Sequence, residues 1–150
     1  MKIKVKTPEI ISQLSELLKS SELVPEGLEK NNLHLFYERD ESGALIGVIG
    51  VEMYGDACLL RSLAVLENKR NQGIARSLIK EAFEFARSVK SYEVYLLTQT
   101  IGNTMYGYGF RNVHRDKVPN DLITSPFFNG ICPCSCHVMH KNIMEGSNNV

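Results

Sequence analysis

The stretch Leu63-Ala64-Val65-Leu66-Glu67-Asn68-Lys69-Arg70-Asn71-Gln72-Gly73-Ile74-Ala75-Arg76 runs from an apolar strand through a basic loop into a helix start. A helix N-terminus carries unpaired N–H groups and a partial positive charge, which together make an anion site. Gly73 and the small Ala75 let a phosphate come near the backbone. Lys69, Arg70 and Arg76 add positive charge. A pyrophosphate suits such a turn. Two nucleotide motifs fail here: the chain has neither GxxxxGK[ST] nor GxGxxG. The other reading is a basic loop entering a surface helix.

Working outward, the spacing predicts a long amphipathic helix after Gly73, with Ile74, Leu78, Ile79, Ala82, Phe83, Ala86 and Val89 on one face. Three strands precede the loop: Leu33 to Glu38, Leu45 to Met53 and Cys58 to Val65, joined by turn signals at Asp40–Gly43 and Gly55-Asp56. Met1 to Lys6 alternates like a further strand. Thr7-Pro8-Glu9 reads as a cap, a first-turn proline and an acid opening a helix with Ile10, Leu14, Leu17 and Leu18 in a stripe. Downstream come a strand at Glu93–Leu97, a short helix at Ile101–Tyr108, a strand at Phe110–Arg115, an irregular stretch at Val118–Asn129 and a last strand at Cys134–Ile143. One α+β domain over residues 1–143, with 144–150 as a disordered tail, is the economical organisation.

The 150 residues suit one domain. Lys+Arg and Asp+Glu are 17 each, so the balance lacks the excess positive charge of a broad nucleic-acid surface. The longest apolar run, Ala44 to Val51, is far shorter than the about 20 residues of a membrane span. MKIKVKTPE has no signal-peptide apolar region. Three of the four cysteines crowd at 132, 134 and 136, unlike a secreted disulfide scaffold. A cytoplasmic, reduced protein with no nucleic-acid or membrane partner is expected.

Leu63-Ala64-Val65 followed by Arg70-Asn71-Gln72-Gly73-Ile74-Ala75 resembles the acetyl-CoA pyrophosphate loop of the GNAT superfamily of N-acyltransferases, Q/R-x-x-G-x-G/A. Leu96-Leu97-Thr98-Gln99-Thr100 and Tyr108-Gly109-Phe110 resemble its second cofactor segment, with Met105 where the pattern has tyrosine. Leu60–Val65, the L-T-x-T segment, Gly109-Phe110, Arg115–Pro119 and Cys132-Pro133 resemble more narrowly an arsenic-resistance-associated N-acetyltransferase subgroup. The L-T-x-T segment also resembles the acetyltransferase domain of N-acetylglutamate synthases. The resemblance implies a GNAT-like α+β fold: a mixed, mostly antiparallel twisted sheet of six to seven strands, flanked by helices and splayed at the acetyl-CoA cleft. It implies direct transfer from acetyl-CoA to a primary amine in a ternary complex. Leu63, Ala64 and Val65 would hold the pantetheine arm, and Arg70, Asn71, Gln72, Gly73, Ile74, Ala75 and Arg76 the pyrophosphate. Thr98 and Thr100 would face the acetyl group or the acceptor. A homodimer fits the resemblance.

A primary amine has a pKa near 10 and must lose a proton before attack. Glu52 is the leading base, or else a solvated strand-end charge; Tyr106, Tyr108 or water would protonate the leaving thiolate. Arg61 interrupts an apolar strand. It either binds an acceptor carboxylate or pairs internally with Glu52 or Asp56. Arg115 is a second carboxylate candidate. A small, amino-acid-like acceptor is thus favoured; a protein N-acetyltransferase and a non-catalytic acyl-CoA or thiol-metalloid module are the alternatives. Cys132, Cys134 and Cys136 lack the second ligand pair of a zinc site and read as buried small hydrophobes. No metal is assigned.

Overall fold

The computed structural model describes residues 6–23, 25–98, 104–131 and 136–144. The expected strand at residues 1–5, Thr100, Cys132, Cys134 and the tail at 145–150 lie outside them. Among the described residues six strands form one sheet: β1 (Leu33–Arg39), β2 (Leu45–Tyr54), β3 (Ala57–Val65), β4 (Glu93–Thr98), β5 (Arg111–Val113) and β6 (His137–Asn142), in the order β1-β2-β3-β4-β6-β5. All pairings are antiparallel except β3 with β4. A parallel neighbour needs a crossover, and the helix α2 (Ile74–Ser88) supplies it.

α2 lies on one face of the sheet, where Leu78, Ile79, Ala82, Phe83 and Ala86 join Phe36, Ile49, Val51, Leu60, Val94 and Leu96 in the largest apolar cluster. The opposite face holds two smaller clusters. Helix α1 (Pro8–Ser20) packs Leu14, Leu17 and Leu18 on Leu33, Leu35 and Val48. The short helix α3 (Asn120–Ile123) and a π-helical turn at Phe127–Ile131 pack Leu122 and Phe128 on Leu59, Tyr95 and Val138. Strand alternation thus serves three clusters from one sheet.

α1 begins as its sequence predicts: the Thr7 hydroxyl accepts from the Ile10 N–H at 3.2 Å, Pro8 opens the helix and Glu9 sits in the first turn. The predicted helix at 101–108 is a 3₁₀ turn at Thr104–Tyr108 within the described part, and the strand expected at Phe110–Arg115 keeps only three residues. Aromatic and glycine-rich TMYGYGF has little helical propensity, and β5 is an edge paired only with β6.

Candidate functional site

The two glycines of the Ala44–Val51 run shape the ground under the site. A Cβ on Gly47 would lie 2.9 Å from Ile74 Cγ2 and 3.0 Å from Leu78 Cδ1, so its absence lets the first turn of α2 settle on β2. A Cβ on Gly50 would lie 2.9 Å from Leu33 Cδ1 and 3.3 Å from the Arg61 carbonyl. Opposite these glycines β3 carries an extra residue. Val48 faces Ala64 and Gly50 faces Arg61, so Ser62 and Leu63 share one position across from Ile49. This is a β-bulge, and Ser62 adopts φ +62° to make it.

The bulge at Ser62 and Leu63 lies just beyond the point where β3 parts from β4. The parallel register runs Ala57–Glu93, Cys58–Val94 and Leu59–Tyr95 and stops there, although β3 continues to Val65 and β4 to Thr98. Beyond it a cleft of about 660 Å³ opens, whose walls include Leu63, Ala64 and Val65 from β3, Lys69, Arg70, Asn71, Gly73, Ile74, Ala75 and Arg76 from the turn and α2, and Met105 and Tyr108.

The turn leaves its N–H groups open. α1 is capped by a side chain and has an acid in its first turn; α2 has neither, with Gly73 at its N-cap at φ +83°. Asn71 is also left-handed, at φ +63°. A Cβ on Gly73 would meet nothing within 4 Å, so the glycine serves the backbone angle. Arg70 Nε donates to the Val65 carbonyl at 3.0 Å and folds the loop back on β3. Lys69 and Arg76 border the same cleft. Positive charge, an uncapped helix start and unpaired strand edges fit an extended ligand ending in a diphosphate. Among the predicted loop residues, Gln72 does not line this cleft.

Glu52 and Arg61 lie elsewhere than a cleft-facing reading requires. The Glu52 side chain is fully buried; it accepts from Arg61 Nη1 at 3.1 Å, from Lys30 Nζ at 3.4 Å and from the Tyr54 hydroxyl. Neither expected role matches this place: Glu52 is not a solvated strand-end charge and does not line the cleft as a base would, but is a carboxylate enclosed by three donors. Burial and the hydrogen bond to Glu52 push the Tyr54 hydroxyl up to about 12. Arg61, its side chain only 1% exposed, also donates to the Glu26 carbonyl at 2.5 Å and to Ser62 Oγ at 3.1 Å, and stacks 4.7 Å from the Phe127 ring centre. The internal pair is thus the arrangement present.

Tyr106 and Tyr108 separate as well. The Tyr106 hydroxyl accepts from the Asn112 amide, and Arg111 lies over its ring. Tyr108 borders the cleft, and Lys141 Nζ donates to its carbonyl at 2.6 Å. Sequence spacing gave no signal for this choice, because a 3₁₀ turn places side chains differently from an α-helix. Thr98 ends β4, opposite His137 of β6. Arg115 Nη2 donates to the Cys136 carbonyl at 3.2 Å and stacks on Phe128, bordering a separate cavity of about 220 Å³ with His114 and His137. Cys136 is buried, as its reading as a small hydrophobe expects, and is disulfide-bonded. Cys58 is a free, buried thiol, and burial pushes it up to about 12. The described residues hold no group of three His, Cys, Asp or Glu that could bind a metal ion, and no helix long and apolar enough to cross a membrane.

Residues 8–106 match the model of the acetyltransferase (GNAT) family. An uncharacterised N-acetyltransferase of Chlorobaculum tepidum is 31% identical over 88 residues, which is 58% of this chain and 56% of that protein. Among solved structures, an acetyltransferase of the GNAT family from Staphylococcus aureus has a TM-score of 0.74 at 15% identity, covering 96% of this chain and 99% of its own. N-acetylglutamate synthase from Neisseria gonorrhoeae, complexed with coenzyme A and N-acetyl-glutamate, has a TM-score of 0.75 at 15% identity, covering 97% of this chain and 35% of its own. At such identities the likeness is one of fold.

Proposed function

The chain belongs to the GNAT family of acetyl-CoA-dependent acetyltransferases, and from that premise we propose that it moves the acetyl group of acetyl-CoA to the primary amine of a small, amino-acid-like acceptor. The observation that carries this reading is one cleft bounded both by the end of β3 that has parted from β4 and by the uncapped start of α2. The main chain of Leu63–Val65 would hold the pantetheine arm as an added strand. The N–H groups of Asn71 to Arg76 would hold the diphosphate, with Lys69 and Arg76 alongside. The acceptor nitrogen bonds to the thioester carbon as the carbon–sulfur bond breaks. Its proton leaves to water at the cleft mouth, and the Tyr108 hydroxyl is assigned as donor to the leaving sulfur. Thr98, at the end of β4, is assigned to the acetyl end of the cleft. Glu52 and Arg61, enclosed by their partners, are assigned to the framework around it.

The amino-acid-like acceptor is supported by the resemblance of the L-T-x-T segment to the acetyltransferase domain of N-acetylglutamate synthases, and not by Arg61, whose guanidinium is taken up by Glu52. Saturating acetyl-CoA should raise the melting temperature, because a ligand that binds only the native state stabilises it. Release of free CoA across amino acids, polyamines and peptide amines then identifies the acceptor. No thermal shift, with no release for any amine, would overturn the assignment.

A further inference from the structure

We propose that the buried Glu52–Arg61 pair is the pin that keeps the Ser62 bulge in place and so holds β3 apart from β4. Both are then positioning residues for the cofactor gap. The inference rests on the reading that coenzyme A occupies that gap.

A left-handed conformation is unfavourable for any residue with a Cβ, and Ser62 has one. Were the bulge to straighten, the parallel register could continue past Leu59–Tyr95, setting Leu60, Arg61 and Ser62 against Leu96, Leu97 and Thr98. The gap would close. Something must therefore oppose straightening, and the Arg61 guanidinium is connected to do so. Its Nε holds Ser62 Oγ at 3.1 Å, its Nη1 holds Glu52 Oε1 at 3.1 Å, and its Nη2 holds the Glu26 carbonyl at 2.5 Å. Its face lies on Phe127 at 4.7 Å.

These partners come from β3, β2, the turn after α1 and the π-helical turn. A guanidinium is a rigid planar fork, so it cannot follow a shift of its own backbone and keep all four. Glu52 is itself fixed by Lys30 and Tyr54. A buried ion pair adds little net stability over a packed apolar pair, so its use here is geometric.

The test separates the bulge from the pair. Ser62→Ala and Ser62→Gly both remove the hydroxyl, but only glycine is at ease in the left-handed region. Calorimetric titration with CoA should show the alanine variant binding about tenfold more weakly than the glycine variant, the size of the left-handed penalty. Glu52→Gln should weaken binding by a similar factor and raise KM for acetyl-CoA more than it lowers kcat. Adding Ser62→Gly should restore both, since a bulge that costs nothing needs no pin. Equal binding by the two Ser62 variants, or a Glu52→Gln loss that glycine does not rescue, overturns the inference. Should Glu52→Gln lose its cooperative melt, Arg61→Lys, which keeps the charge but not the planar fork, takes its place with and without Ser62→Gly, and a loss that glycine does not rescue again overturns the inference. A wild-type protein that binds no CoA overturns the functional reading and this one together; wild-type binding with unaffected variants overturns this one alone.

Discussion

Arg70 donates through Nε to the carbonyl of Val65, the last residue of β3, at 3.0 Å. The arginine that begins the motif thus ties the loop to the strand it has just left, and the main chain between them is held in a closed turn. The diphosphate reading assigns the ligand to the main chain that follows this turn, Asn71 to Arg76, with Lys69 and Arg76 as flanking charges.

Arg70→Lys should then weaken CoA binding through loop order more than through charge. Lysine keeps the charge but cannot make the Nε bond in the same fork geometry. About a threefold to tenfold loss is expected in a calorimetric titration, the size of one hydrogen bond. A loss in Arg70→Ala no greater than in Arg70→Lys would place the effect in the loop; a much larger one would place it in the charge.

Gly73 separates angle from space. Gly73→Ala puts a Cβ where nothing lies within 4 Å and has only its φ of +83° to oppose it. It should cost about 1 kcal/mol of stability, measured by thermal or urea unfolding. Gly73→Asp adds a carboxylate at the helix start beside the proposed diphosphate and should abolish the acetyl-CoA shift in melting temperature. A retained shift would locate the diphosphate elsewhere.

Tyr106 and Tyr108 lie two residues apart in the same 3₁₀ turn and differ in role. Tyr108→Phe should lower kcat by about 10²-fold, the lower end of what a positioned proton donor contributes. Tyr106→Phe loses only a bond with Asn112 and should leave kcat within about twofold, an effect on the scale of less than one hydrogen bond. Equal kcat values for the two variants would remove Tyr108 from the proton transfer.

Alkaline pH should destabilise the fold through Cys58 and Tyr54. Burial pushes the Cys58 thiol from 9.0 to about 12 and the Tyr54 hydroxyl from 10.0 to about 12. The unfolded chain releases these protons first, so the native state keeps its full advantage below about pH 9 and loses it as pH rises toward 12. Cys58→Ala should make the fall in melting temperature between pH 9 and 12 shallower. An unchanged slope would assign the fall to other groups.

Much of this was legible in the chain before any coordinates. Thr7-Pro8-Glu9 specifies its own helix start by local hydrogen bonding, and the stripe from Ile74 to Ala86 specifies the buried face of α2 by period alone. The strand–loop–helix order around Arg70 to Ala75 already pointed to the uncapped helix start on which the proposed anion site rests. These features depend on residues near each other in sequence. The partner of Glu52 did not. Glu52 and Asp56 were the two candidate partners of Arg61, and only the antiparallel register of β2 with β3 brings Glu52 and Arg61 together.

Local sequence, then, determined the elements, the cap and the open helix start, because those are set by hydrogen bonds and side-chain periods a few residues long. The tertiary structure alone decided where β3 leaves β4, which tyrosine borders the cleft, and that Glu52 is enclosed. Each of these rests on contacts between distant segments, whose distances no spacing in the chain encodes.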